Sequence, residues 1–468
     1  MASDFWTRWL RSISRWVFLT TLIFAPWAYG GTTAWSIVGI NLLLEIALSL
    51  WLVELLVDRR FPSLPRALVV SSVAVLALGW WMVANSASIY DSDFYLFVPL
   101  RPFLSLGPGS IDYAVSAAWM LRATLLLGAI WLVIDLVQDR HWLMRLWWTV
   151  GIGGASIAFF GLLQKATGAE MIFWQPRPRL GTSPFFSMFY YHANAGAFMN
   201  LALPLTFGLA WRAFQRKQFG ARAIWITLSV IMIVAIVANT SRMAQLIALG
   251  IGVAVAIMLL PRMAGMFSKG QTGVVVAGAL AILFAIFAAA QISHLEQPLK
   301  RWNELGQTYK TDERWSALKV GVAALPDAGL LGFGPGTFRV MFPYYADAAR
   351  DHVHGIWRFL HQDYLQTFLE WGAPGAILWA AIFFGGLTLA VRARWRHASE
   401  WRPRQKLILS LVVIALIGVA LHALVDFPFQ IMSIQLYVAT FLGICRGSAG
   451  WKVESRNKEI GVSGIGCG

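Results

Sequence analysis

The chain has 468 residues, of which 58% are hydrophobic and only 13% charged, about half the charged share of an ordinary soluble protein. Several apolar runs exceed the roughly 18 residues that mark a membrane-spanning helix, so a soluble globular protein is excluded and an all-α polytopic membrane protein is expected. An outer-membrane barrel is excluded as well, because its strands would alternate polar and apolar residues in short steps. The formal net charge of +15 invites a nucleic-acid partner. The basic residues nevertheless fall in short loops on alternate sides, a pattern that reports membrane orientation, so no nucleic-acid partner is expected.

In chain order, Arg8, Arg11 and Arg15 precede a first span at about Trp16 to Tyr29, read as an uncleaved first helix. Span two, about Ala34 to Val57, is followed by Arg59, Arg60 and Arg66, which mark a cytoplasmic loop. Span three is about Ala67 to Ala84; the Pro/Gly-rich stretch from Asn85 to Asp112 lies outside. Spans four and five, about Tyr113 to Leu136 and Leu146 to Leu163, enclose the basic turn of Arg140 and Arg145. A second outside loop ends in YYHANAG and leads into span six, about Ala195 to Trp211, with Pro204 inside it. Spans seven and eight, about Ala223 to Ala238 and Met243 to Leu260, meet at the tight turn Asn239-Thr240-Ser241-Arg242. Span nine is about Gly273 to Gln291 and span ten about Gly372 to Val391. After the basic run from Arg392 to Lys406, spans eleven and twelve, about Leu407 to Leu424 and Phe429 to Ile444, are joined by Val425-Asp426-Phe427-Pro428.

The expectation is about twelve spans with both termini cytoplasmic: a membrane bundle over 1–292, one large periplasmic loop over 293–371, C-terminal membrane helices over 372–445 and a cytoplasmic tail over 446–468. Cys445 and Cys467 sit near the C-terminus, and no disulfide is expected; the chain has no CxxC or HExxH.

The long polar stretch between spans nine and ten interleaves arginines, carboxylates, histidines and aromatics, and is expected to carry the chemistry. Positive-inside bias depletes arginine outside, yet Arg177, Arg179, Arg242, Arg301, Arg314, Arg339, Arg350 and Arg358 all fall there. Guanidinium is a natural fork for phosphate oxygens, although the loop carries a similar number of acidic residues that can pair with it. Arg242, at a turn between two membrane helices, can either snorkel to lipid headgroups or face the interior and bind an anion. His361, in FLHQDYLQTFLEWG, is expected on the first turns of the helix leading into span ten, where a neutral imidazole can accept a proton from a sugar hydroxyl or simply pack or cap. His192 and Asn194 in YYHANAG can form a polar site wall, with helix capping by Asn194 as the plainer account. His352, His354 and His361 lack a cysteine or acidic partner at metal-ligand spacing, so no metal is expected. Gly332-Phe333-Gly334-Pro335-Gly336 lacks the lysine of a phosphate loop and reads as a turn.

Three stretches together resemble the O-antigen ligase and polysaccharide polymerase superfamily of bacterial envelope proteins. NTSRMAQLIALGIG is similar to its arginine-bearing turn, ERWSALKVGVAALPDAGLLGFGPGTF to its Arg-Trp segment before a Gly-rich turn, and FLHQDYLQTFLEWGAPG to its histidine element, here with Gln362 after the histidine where asparagine is commoner and Met243 after Arg242 where glycine is common. YYHANAGAFMNLALP is also family-like, and the likeness runs from about Gly161 to Gly386. The resemblance implies a glycosyltransferase of the inner membrane that acts at the periplasmic face without metal, nucleotide or other cofactor. Its donor would be a glycan on undecaprenyl pyrophosphate, and its acceptor a hydroxyl of a glycan, lipid A core or another molecule. Carried onto this chain, Arg242 and Arg314 would bind the pyrophosphate and His361 would activate the acceptor, with His192, Asn194, Arg177, Arg179 and Arg339 as further site wall. Ligase is the default reading and polymerase or protein O-glycosylation the neighbouring ones. A transporter predicts flux across sealed vesicles, and a non-catalytic export scaffold predicts indifference to the arginines and the histidine.

Overall fold

The computed structural model describes residues 2–176, 184–267, 302–303, 313–347, 353, 357–396 and 401–451. The expected span nine, the tail beyond 451, and Arg177, Arg179, Arg301, Arg350, His352, His354 and Cys467 lie outside the described residues. Among the described residues, nine helices are long and apolar enough to cross a membrane: α2 (Ala34–Val57), α3 (Arg66–Ala84), α4 (Tyr113–Leu136), α5 (Arg140–Ala166), α6 (His192–Gln215), α7 (Phe219–Ala238), α8 (Arg242–Phe267), α12 (Asp363–Arg396) and α13 (Pro403–His422). The remaining helices are α1 (Ala2–Trp27), the short α9 (Glu313–Ala323), α10 (Leu325–Ala328) and α11 (Phe338–Ala346), and α14 (Met432–Gly447). The chain is therefore a multi-pass helical membrane protein.

Two of the expected spans differ in form from the nine. α14 has 16 residues and is buried at every position but Gln435, so it is a core helix of the bundle, below the usual spanning length. α1 begins far ahead of Trp16, and its arginines lie within the helix. Arg11 reaches Glu54 at 2.5 Å and Asp58 at 2.8 Å, Arg15 lies 3.5 Å from Asp135, and Arg60 bridges Glu54 at 2.8 Å and Asp135 at 2.6 Å. Glu54 is fully buried, and two guanidiniums hold it, as an uncompensated buried charge demands. These arginines thus lock α1, α2 and α4 together at one end of the bundle, beyond any role in orientation.

At the opposite end lies the candidate site. The outside stretch after α3, expected as loop, forms a small antiparallel hairpin of β1 (Ser88–Asp91) and β2 (Leu96–Pro99) in the register Ser88 to Pro99, so the fold is not wholly α-helical. α6 runs through the centre of the bundle and packs through small residues, where backbones approach closely. A Cβ on Gly154 would meet Ala202 at 2.3 Å, and one on Gly196 would meet Ala244 at 2.4 Å.

α12 is two helices joined at a break. Gly372 has φ +64° and ψ −173°, a conformation that side-chain-bearing residues avoid, and Pro374 stands in the first turn of the resumed helix, where its missing N–H costs nothing. The break leaves the carbonyls of Leu369 and Glu370 without helical partners. The Gly332–Gly336 turn supplies them: Phe333 N–H donates to Leu369 O and Gly334 N–H to Glu370 O, each at 2.8 Å, while Ala373 N–H donates to Leu330 O at 2.9 Å. The buried Glu370 carboxylate accepts from the Gly336 and Phe338 backbone N–H groups at 3.0 and 3.2 Å. A small second core of Ala317, Val320, Phe338, Phe342, Leu360 and Leu369 then packs α9 and α11 over the head of α12.

A Cβ at residue 372 would meet Leu330 O at 2.2 Å in a backbone region reserved for glycine. Gly372→Ala is expected to cost about 1–3 kcal/mol, visible as a lowered unfolding temperature of the purified protein, with Ala373→Ser as the neutral neighbour.

Candidate functional site

His361 stands two residues before the start of α12, with φ +60°. It was expected on the first turns of that helix, but the helix begins at Asp363. The reason is local. Asp363 is fully buried and spans from α12 to the α13–α14 connection: its carboxylate accepts from Phe429 N–H and from Gln430 Nε2, both at 2.8 Å, and its own N–H donates to Ala423 O at 3.0 Å. The chain entering α12 is pinned to that connection, and the left-handed residue makes the turn. Histidine tolerates this region better than most residues, and strain of this kind persists only where surrounding contacts fix it.

The pinning brings His361 against Asp426, in the connection between α13 and α14. His361 Nδ1 lies 3.2 Å from Asp426 Oδ1. The two atoms are in close contact without meeting the geometry of a hydrogen bond. Tyr191, the residue before α6, completes the cluster. Its hydroxyl donates to Asp426 Oδ2 at 3.3 Å and accepts from Arg314 Nη2 of α9. Phe427 stacks on Tyr191 with ring centroids 5.3 Å apart and meets the His361 ring edge-on at 4.5 Å. Trp357 closes the other side of His361 at 5.3 Å. The histidine is 17% exposed and Asp426 only 4%.

Burial alone would raise the Asp426 carboxyl. Contact with His361 and the fields of Arg314 and His422 outweigh it and hold the group down at about 2. Asp426 is thus an anion throughout the physiological range.

Arg314 and His361 are therefore brought to one place, linked through Tyr191 and Asp426. Arg242 is the first residue of α8 and half-buried. Its turn is tied to the same helix start, because Asn239 Nδ2 donates to His192 O at 2.7 Å and Asn200 Nδ2 to Ala244 O at 2.9 Å. The loop stretch after span nine docks here as well, through Trp302 Nε1 to Gln245 Oε1 at 2.8 Å. His192 is buried, with its N–H on Pro184 O at 2.9 Å and Nδ1 3.1 Å from the same oxygen. Asn194 does not cap α6: the helix begins two residues earlier, Tyr191 holds the cap position, and Asn194 lies buried in the first turn. Arg339 is exposed on α11, and its charge acts on the buried Arg122 of α4.

Sequence reasoning passed over Tyr191, Asp426 and His422. Asp426 gave one signal, as a lone carboxylate in a four-residue turn between two apolar spans, where an ionisable group is a site candidate by default. Among the described residues, no group of three histidine, cysteine or acidic side chains is arranged to hold a metal ion.

Since the folded Asp426 value lies below its unfolded value near 4, its contribution to stability is fully present above pH of about 4 and is lost as pH falls toward 2. Wild type is expected to lose unfolding temperature between about pH 4 and pH 2 more steeply than Asp426→Asn, measured side by side in one detergent.

Residues 227–380 match the family model O-Antigen ligase (Wzy_C). No curated protein sequence matches the chain. The matched segment runs from α7 to the middle of α12 and holds Arg242, Arg314, Arg339 and His361, whereas Tyr191, His192, Asn194 and Asp426 lie outside it. That domain is set in a multi-pass helical bundle, and the match supports a place for this segment in the O-antigen ligase superfamily.

Proposed function

We propose that this protein is a glycosyltransferase of the bacterial inner membrane that moves a glycan from undecaprenyl pyrophosphate to an acceptor hydroxyl at the periplasmic face, as an O-antigen ligase does. The site end of the bundle then faces the periplasm, and both termini face the cytoplasm, in keeping with the basic loops. The observation that carries this reading is the grouping of Arg314, Tyr191, His361 and Asp426 at one end of the bundle.

In the reaction, the acceptor oxygen forms a bond to the anomeric carbon, and the bond from that carbon to the pyrophosphate oxygen breaks. His361 takes the hydroxyl proton. With Nδ1 turned to Asp426, Nε2 is the nitrogen left for the acceptor, and the carboxylate stabilises the imidazolium that forms, a division of labour familiar from histidine–carboxylate pairs. Undecaprenyl pyrophosphate leaves with two electrons and a developing negative charge. Arg314 and Arg242 stabilise that charge, preorganised donors aimed at a leaving group being among the strongest catalytic devices. Tyr191 couples the two halves, since its hydroxyl contacts both the arginine and the carboxylate. His192 and Asn194 hold the start of α6, which carries Tyr191; Arg339, Arg177 and Arg179 would contribute to the wall over which the glycan passes. The energy for transfer arrives in the donor, so no nucleotide or metal is required. A polymerase would share the donor chemistry and differ only in the acceptor.

The test uses the purified protein in nanodiscs with a glycan on undecaprenyl pyrophosphate and candidate acceptors, following release of free undecaprenyl pyrophosphate. Acceptor-dependent release is expected, falling about 10²–10⁴-fold in His361→Ala and about 10²–10³-fold in Arg314→Ala. The acceptor that supports release separates ligase from polymerase. Release unchanged in both folded variants would overturn the assignment of these residues, and no release with any acceptor would turn attention to vesicle flux.

A further inference from the structure

A cavity of about 550 Å³ lies between α4, α12 and α14, in the size range of sites for drug-sized ligands. It is separated from His361 by the Asp363, Phe429 and Gln430 contacts described above. Its walls are almost wholly apolar, with Leu127, Ile130, Phe383 and Leu442 at the deep end. Its rim includes Ile377 and Phe384, which are exposed on the outer surface of α12, so the groove opens sideways toward hydrocarbon.

The shallow end is different in kind. Arg122 lines it while only 8% exposed, and its Nε has no hydrogen-bond partner among the described residues. The guanidinium lies over the Trp119 ring at 4.4 Å and makes one long contact, Nη1 to Gln430 O at 3.4 Å. Glu370 lines the cavity too, but its oxygens are occupied by Gly336 N–H, Phe338 N–H and Gln366 Nε2. Two further buried atoms at the same end, Gln430 Oε1 and Gln435 Oε1, also lack partners among the described residues. A guanidinium that feels the charge of Glu370 but has an unmatched Nε, together with two unmatched acceptors, therefore lines one end of an apolar groove. Orphaned buried polar atoms cost stability unless a ligand satisfies them.

We propose that this groove holds one anionic glycerophospholipid of the surrounding bilayer, with its headgroup phosphate on Arg122 and one acyl chain between α4, α12 and α14. Arg122 forks the phosphate, and the hydroxyls of a glycerol headgroup donate to Gln430 and Gln435. A polyprenyl phosphate would satisfy the arginine and leave both amide oxygens unmet. The lipid supports α12 from behind, on the face away from His361, and takes no part in the transfer chemistry.

The experiment is native mass spectrometry of the full-length protein in detergent, titrated with phosphatidylglycerol, phosphatidylcholine or undecaprenyl phosphate. Wild type is expected to retain one phosphatidylglycerol, with phosphatidylcholine at least about 10-fold weaker, and Arg122→Gln is expected to lose phosphatidylglycerol affinity by about 10-fold or more. Ala376→Trp, which fills the groove without touching the arginine, is expected to lose it as well, so a folding defect in one variant leaves the other as the test. Equal phosphatidylglycerol retention in wild type and both variants overturns the proposal, as does preferential retention of undecaprenyl phosphate.

Discussion

Asp426 is a fully ionised carboxylate buried at the mouth of a membrane bundle, and the site is arranged around it. Taking such a charge out of water is costly unless it is paired and hydrogen-bonded. The partners come from remote parts of the chain: Tyr191 at the start of α6, His361 ahead of α12, and Arg314 of α9 through the tyrosine. Each is delivered by a separate device. Asp363 clamps the α12 entry to the α13–α14 connection, Asn239 ties the Arg242 turn to α6, and the second core seats α9 on the head of α12. The result is an arginine, a tyrosine, a carboxylate and a histidine held together at one end of the bundle, the grouping on which the proposed transfer rests.

The break at Gly372 connects the extramembrane segment to the bundle. A continuous helix would satisfy its own backbone and offer nothing to the loop above. Broken, it presents two carbonyls that the Gly332–Gly336 turn answers, and Glu370 closes the arrangement from the side chain. The glycine run that resembles a phosphate loop is thus a backbone splice. At the other end of the bundle, Arg11, Arg15 and Arg60 perform the same kind of fastening with charge instead of backbone.

Much of the bundle was legible in the sequence, because long apolar runs between basic turns have one economical explanation in a bilayer. α2, α4 and α7 stand within a few residues of where hydropathy puts them. The edges were less legible. α1 hides its charges by pairing them across helices, which no local pattern reveals, and the short β1–β2 hairpin lies in a stretch whose composition reads as loop. At the site, Arg314 and His361 stood out because their chemistry is unusual where they sit. Tyr191 and Asp426 did not, since 235 positions separate them and each looks ordinary among its neighbours. The left-handed turn at His361 was likewise invisible, being imposed by Asp363 from two residues away.

The central claim is that His361 and Asp426 act as one unit in moving a proton. A double-mutant cycle in the transfer reaction tests it most directly: single-turnover rates for wild type, His361→Gln, Asp426→Asn and the combined variant, each shown to be folded. Residues that work as a unit give strongly non-additive losses. The predicted result is a double variant no slower than His361→Gln alone, because the carboxylate has nothing left to orient. Losses that multiply would mean that the two groups act independently, and would contradict the coupled pair.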